Sequence, residues 1–198
     1  MKDLKTTIVK QYQILFDKTS ASILGMQKPI VSLQTELGVI RVELETEKAE
    51  LTVQNFLSYV TRGDFNNSYF YRVVHEQNQD HQPVKISVIQ GGLGMNAHPK
   101  KGATIAHQTT LETGLKHVNG TISMSRLEPG SAHSEFFICI GDQPELDYGG
   151  QRNPDGQGFA AFGQTVEGFE VILEIQQQPE RGQMLLAPVK IHRISLES

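Results

Sequence analysis

The chain has 198 residues, 38% apolar and 20% charged, which fits one globular domain with its own core and leaves little room for a second. A formal charge of −4 and a pI near 6.0 exclude a phosphate-tracking groove, which needs clustered Lys and Arg, so no nucleic-acid partner is expected. No apolar run approaches the ~20 residues of a membrane span, and the single cysteine, Cys139, rules out an intramolecular disulfide and a cysteine-based metal site.

Residues 1–27 read as an N-terminal extension, in which Ile8, Tyr12, Ile14, Leu15 and Phe16 suggest a short amphipathic helix before Ser20-Ala21-Ser22. Met1-Lys2-Asp3-Leu4-Lys5 has the positive start of a secretory leader, but Lys10, Gln11, Gln13, Asp17 and Lys18 interrupt an apolar segment. The cytoplasm is the expected compartment, or the periplasm if a leader has been removed. Residues 28–198 read as one domain.

From Ile30 a strand pattern begins, with Val31 and Leu33, then Ile40, Val42 and Leu44, alternating against polar residues around a turn at Thr35-Glu36-Leu37-Gly38. The period then becomes helical. Val53, Phe56, Leu57 and Val60 share one face, and Gly63 stands where a C-terminal cap is expected. Short apolar strands follow at Ser68–Val74, Lys85–Gln90, Gly120–Ser125, Glu135–Ile140 and Ala160–Gly163. A second helix near Phe169–Gln176 carries Val171, Ile172 and Ile175 on one side, and a last strand runs from about Val189 to Leu196. Its phase slips between Ile191 and Ile194, which a bulge at His192-Arg193 would explain. The pattern predicts a mostly β fold, a closed antiparallel barrel of about eight strands capped by two helices, without an internal repeat.

Several chemistries are excluded. His75, His81, His98, His107, His117, His133 and His192 show no metal-ligand spacing, so no metal is expected. Ser131-Ala132-His133-Ser134-Glu135 contains the residue types of a hydrolase triad, but triads are assembled from separate elements and no G-x-S-x-G elbow occurs. Gly91-Gly92-Leu93-Gly94 is neither a P-loop nor a dinucleotide fingerprint, and reads as a tight turn. Cys139, inside Phe136-Phe137-Ile138-Cys139-Ile140, reads as core.

Phe70-Tyr71-Arg72-Val73-Val74 followed by Ile89-Gln90-Gly91-Gly92 resembles the paired strand motifs of cyclophilins, the peptidyl-prolyl cis/trans isomerases. In the same order come Asn119-Gly120-Thr121-Ile122-Ser123-Met124-Ser125, Ser134-Glu135-Phe136-Phe137-Ile138, Leu146-Asp147 and Phe159-Ala160-Ala161-Phe162-Gly163. The resemblance covers roughly Ile30 to Leu196. It implies rotation of X-Pro bonds in proline-containing polypeptides without cofactor or covalent chemistry, with Arg72 as the catalytic guanidinium and Gln90 as its polar partner. Phe137 is then the floor of the proline pocket, with Val88 and Leu146 as walls, and Ser125, Arg126, Phe159, Tyr71, Ser87 and Glu135 complete the substrate site. A monomer with no membrane contact is expected.

The same comparison shows departures. Tyr71 stands where the motif has histidine, Ser87 where it has phenylalanine, Val88 where it has methionine, Glu135 where glutamine is common, Glu145 where many members have tryptophan, and Phe159 where many have histidine. They imply a shallower pocket, a carboxylate able to pair with Arg72, and weak binding of cyclosporin-type ligands. The link His75–Ile86 is about ten residues longer than the family's and would overhang the proline site. Two readings stay open: an isomerase that assists folding, and a binding module of the same fold with little turnover.

Overall fold

The computed structural model describes residues 28–94 and 96–197. The helix expected within residues 1–27 lies outside them. Among the described residues nine strands and three α-helices follow one another as β1 (Ile30–Thr35), β2 (Gly38–Leu44), α1 (Glu50–Arg62), β3 (Ser68–Val74), β4 (Val88–Gly92), α2 (Thr110–Thr113), β5 (Thr121–Met124), β6 (Phe136–Cys139), β7 (Ala160–Glu167), α3 (Phe169–Gln176), β8 (Glu180–Arg181) and β9 (Met184–Leu196). Eight of the strands close a ring in the order β1-β2-β7-β5-β6-β4-β3-β9, with β9 returning to β1, and every pairing is antiparallel. Closure leaves no open sheet edge in the ring, and this is the cyclophilin-type barrel the sequence implies. The two-residue β8 sits outside the ring as a hairpin on β9.

Inward side chains alternate along the strands and meet in one apolar core. Phe56 from α1 lies 5.6 Å from Phe136 and 5.2 Å from Phe162, so the helix plugs one open end of the barrel with aromatic rings. Gly63 ends α1 at φ +67°, its N–H donating to the Tyr59 and Val60 carbonyls, as its expected capping role requires. The bulge expected in the last strand falls on His192, because Gln34 faces Arg193 while Thr35 faces Ile191. With one residue extruded, Ile191 and Ile194 both point inward.

Other expectations are corrected. Gly91-Gly92 is strand, not turn. A Cβ on Gly91 would come within 2.8 Å of the Phe70 ring, and Gly92 holds φ +136° against the Ser134 carbonyl, so β4 packs where only glycine fits. The strand also begins at Val88 rather than Lys85. β7 extends to Glu167 through Gln164 and Thr165, whose polar side chains hide the strand in a hydropathy pattern. A one-turn helix, α2, was not foreseen; Thr109 caps it by accepting the Glu112 N–H while Glu112 accepts back from Thr109.

Candidate active site

The site lies on the outer face of β3, β4, β5 and β6, and a bulge in β3 creates it. Phe70 pairs with Gly91 and Arg72 with Gln90, so Tyr71 is the extra residue. Strict alternation would send Arg72 into the barrel. The bulge turns it out beside Tyr71, with Val73 inward and Val74 outward beyond it.

Arg72 Nη1 donates to Gln90 Oε1 at 2.7 Å, and Nε and Nη2 donate to Gln183 Oε1 at 3.1 and 2.6 Å. A guanidinium carries five N–H groups, so one on each terminal nitrogen has no partner among the described residues and can meet a substrate oxygen. Gln90 Nε2 donates in turn to Tyr71 Oη at 3.0 Å and to Ser125 Oγ at 3.2 Å, which fixes the amide so that its oxygen faces Arg72. Gln183 belongs to the turn between β8 and β9, at φ +73°, and its Nε2 donates to the Asn78 carbonyl at 3.0 Å. Asn78 sits in the long link 75–87, so this link reaches the guanidinium through one side chain. Burial lowers the proton affinity of Arg72, but an arginine stays cationic.

Glu135 does not pair with Arg72, correcting that expectation. Its carboxylate accepts the Tyr71 hydroxyl and the Ser134 hydroxyl, and Lys101 Nζ stands 4.0 Å away. Burial pushes the Glu135 carboxyl above the ordinary carboxylate range, while the Tyr71 and Ser134 hydrogen bonds and Lys101 oppose the rise. Burial, reinforced by Glu135, pushes the Tyr71 hydroxyl up as well, so Tyr71 stays a donor. Among the described residues no carboxylate lies within 4.0 Å of Arg72.

Beside the polar chain is a small apolar cluster of Val74, Ile86, Val88, Phe137, Cys139 and Leu146, with Phe159 packed against it. Phe137 stacks on His117 at 6.0 Å and meets Phe159 edge-on at 5.3 Å. Cys139 is buried with its thiol pushed up by that burial, which removes it as a nucleophile. Ser87 stands apart from the cluster. Its hydroxyl accepts from Gln176 Nε2 at 2.8 Å, and Ile86, one residue earlier, takes the apolar place. Arg126 has all five N–H groups committed to Asp155, Gly158 and Leu127, with its guanidinium 5.2 Å from the Phe159 ring. It therefore pins the loop 148–158 under Phe159, and holds the Asp155 carboxyl down to about 2.

Behind Phe137, His117 joins Asp147 through Nδ1 at 2.8 Å and Ser123 Oγ through Nε2 at 2.9 Å. The order Asp-His-Ser is that of a hydrolase triad, yet Ser123 is 0% and His117 1% exposed, so no acyl group can reach the hydroxyl. It is a buried brace for the Phe137 ring. Burial alone would raise the Asp147 carboxyl, but the hydrogen bonds from His117 outweigh it and hold the carboxyl low. Among the described residues no three His, Cys, Asp or Glu side chains converge as metal ligands.

Tyr71, Arg72, Gln90, Ser125 and Glu135 thus form one polar group, and Val88, Phe137, Leu146 and Phe159 one apolar group beside it. Sequence reasoning missed Gln183, Ile86 and His117. Only His117 left a trace, in its nearness to the Asn119–Ser125 motif; Gln183 follows a Gly in an otherwise featureless turn.

Residues 30–196 match the family described as cyclophilin type peptidyl-prolyl cis-trans isomerase/CLD. The chain is 38% identical over 149 residues to peptidyl-prolyl cis-trans isomerase A of Dickeya dadantii, covering 74% of this chain and 70% of that protein. It is 33% identical over 148 residues to peptidyl-prolyl cis-trans isomerase B of Escherichia coli, with 74% and 84% covered. A peptidyl-prolyl cis-trans isomerase of Acinetobacter baylyi aligns over 198 residues at 29% identity, covering 96% of this chain and 97% of that one. A solved cyclophilin type isomerase of Cryptosporidium parvum superposes with a TM-score of 0.68 at 21% identity, over 86% of this chain and 98% of that one, and supports the fold alone.

Proposed function

This chain belongs to the cyclophilin-type peptidyl-prolyl cis-trans isomerases, and from that premise we propose that Arg72 is the group that acts on the substrate amide. The activity is rotation about X-Pro bonds in proline-containing polypeptides, which assists protein folding. Amide resonance sets a barrier of ~18–20 kcal/mol, and uncatalysed exchange takes tens to hundreds of seconds. Twisting the C–N bond breaks conjugation and returns a lone pair to the nitrogen. A guanidinium N–H placed beside that nitrogen binds the twisted amide better than either planar form, and this difference is the catalysis.

One observation carries the reading: Arg72 is turned outward by the β3 bulge, beside the apolar cluster at Phe137, and among the described residues only neutral amides hold it. A carboxylate on the guanidinium would have blunted its field and favoured the binding-module alternative. Glu135 instead spends its oxygens on Tyr71 and Ser134. The proline ring sits on Phe137, Val88, Leu146 and Phe159, while the free N–H groups of Arg72 and the Gln90–Tyr71–Ser125 chain take the backbone. On the same reading a cyclosporin-type macrocycle binds weakly, since Glu145 offers a carboxylate committed to the Gln151 N–H and no indole.

The test is NMR exchange spectroscopy on an Ala-Pro peptide. The protein should accelerate exchange, and Arg72→Ala should lose about 10²-fold of that acceleration, the usual cost of removing one transition-state donor. Peptide binding without acceleration would establish the binding module instead.

A further inference from the structure

Arg152 is a further guanidinium at the border of the proline pocket. It lies in the loop 148–158 that Arg126 pins down, its backbone N–H donates to the Glu145 carbonyl at 3.2 Å, and its Nη1 donates to the Val84 carbonyl at 2.6 Å. Val84 is two residues before Ile86, a wall of the apolar cluster, and Glu145 immediately precedes Leu146, another wall. Arg152 therefore bridges the two loops that border the proline pocket. Its Nε and Nη2 have no hydrogen-bond acceptor among the described residues.

The acids that could neutralise it are engaged elsewhere. Glu145 Oε2 accepts the Gln151 N–H, Asp155 holds both terminal nitrogens of Arg126 at 2.8 Å, and Asp147 serves His117 and Lys116. Among the described residues no carboxylate lies within 4.0 Å of Arg152, as none does of Arg72. Burial, and to a lesser extent the charge of Arg72, lower the proton affinity of Arg152. A half-buried guanidinium without a counterion at the border of the proline pocket favours an anion there, and its planar fork suits a carboxylate or a phosphate. The overall charge of −4 does not cancel this, because fields are screened over about 8–10 Å in physiological salt.

We propose that Arg152 is a specificity-determining residue, and that the site prefers X-Pro segments bearing an anionic group, carboxylate or phosphate, beside the proline. This rests on the isomerase reading of the same site.

The experiment compares peptides that differ only in glutamate, glutamine or phosphoserine, placed on one side of the proline and then on the other. For each, kcat/KM is read by exchange spectroscopy and Kd by chemical-shift titration. The wild type should favour the anionic peptide over glutamine by about three- to tenfold at low salt on at least one side, with the ratio collapsing toward one in ~0.5 M salt. Arg152→Gln should bring the ratio toward one, and Arg152→Lys should restore part of it. Each variant supplies its own glutamine reference, so a change in folding or turnover cancels. A gain for glutamate identifies a carboxylate as the natural group, and a gain for phosphoserine alone identifies a phosphate. A wild-type ratio near one on both sides, or a ratio that survives Arg152→Gln, overturns the proposal. If exchange is not accelerated at all, the isomerase reading fails, while the Kd ratio still decides this one.

Discussion

Phe136 and Phe137 are neighbours on β6, 0% and 5% exposed, and they belong to different regions of the molecule. Phe136 points into the barrel among Phe56, Phe65 and Phe70, with centroids 5.6 to 5.8 Å apart and rings nearly perpendicular. Phe137 points outward between His117 and Phe159, in a cluster of a few apolar residues bordered by Gln90 and Arg72. Equal burial thus conceals unequal roles. The inner ring has only apolar neighbours to satisfy and can serve only packing. The outer ring rests on a buried polar brace and lies across the strand pair from Gln90, the partner of Arg72, an arrangement that holds a floor in place for something else to sit on.

Substitution separates the two faces. Phe136→Ala should cost about 3–5 kcal/mol, as large-to-small changes in a packed core do, seen as an early denaturant midpoint, while the fraction that stays folded keeps its kcat/KM. Phe137→Ala should cost less in stability and raise KM several-fold, because the proline ring loses its floor. If the two variants lose stability and activity in the same proportion, the division between core and site is wrong.

A smaller effect probes how the site face is held. Gln183→Met keeps the bulk of the side chain and removes the oxygen that accepts from Nε and Nη2 of Arg72. The guanidinium then keeps only Gln90, and kcat should fall about tenfold, equivalent to ~1.4 kcal/mol, with little change in KM. Gln183→Glu should lower kcat further, since a carboxylate on Arg72 blunts its field, and a kcat unchanged in both variants would remove Gln183 from the site. The inner face offers no counterpart, because nothing there is oriented.

The barrel and the two helices that cover it are legible in the sequence because burial imposes a period. Val53, Phe56 and Val60 share a helix face, Val31 and Leu33 a strand face, and the slip at His192 betrays its own bulge. The bulge in β3 leaves no such trace. In Phe70-Tyr71-Arg72-Val73-Val74 the pattern is the same with or without an extruded Tyr71, so only the ordered motifs of a family could place Arg72 outside. The fate of Glu135 was illegible for a related reason. Its carboxylate is tied to Tyr71, next to Arg72 in the chain, and which neighbour it serves depends on Tyr71 supplying a hydroxyl where the family has an imidazole. Arg126 shows the same limit from the other side: matched by its motif to the substrate site, it is occupied by Asp155 and Gly158, far along the chain.

The smallest effect is also the most specific to the site face, because the core cluster among the described residues has no carboxyl group to show it. Burial raises the Glu135 carboxyl above its ordinary value of 4.5. The folded state then binds this proton more tightly than the unfolded state, so on this account stability is greatest below about that value and declines as pH rises and the buried carboxylate must ionise. Tyr71, Ser134 and Lys101 face the group and temper the loss without reversing it. Glu135→Gln removes the titration. The difference in Tm, variant minus wild type, should therefore grow as pH is raised from 4 to 8, by about 2–4 °C for each kcal/mol in a domain of this size, whatever its sign at the acid end. The same series on a neutral core variant such as Ile138→Val should be flat. A difference for Glu135→Gln that is equally flat would mean the carboxyl is not strained by burial, and that the polar chain from Arg72 to Glu135 is as relaxed as the core behind it.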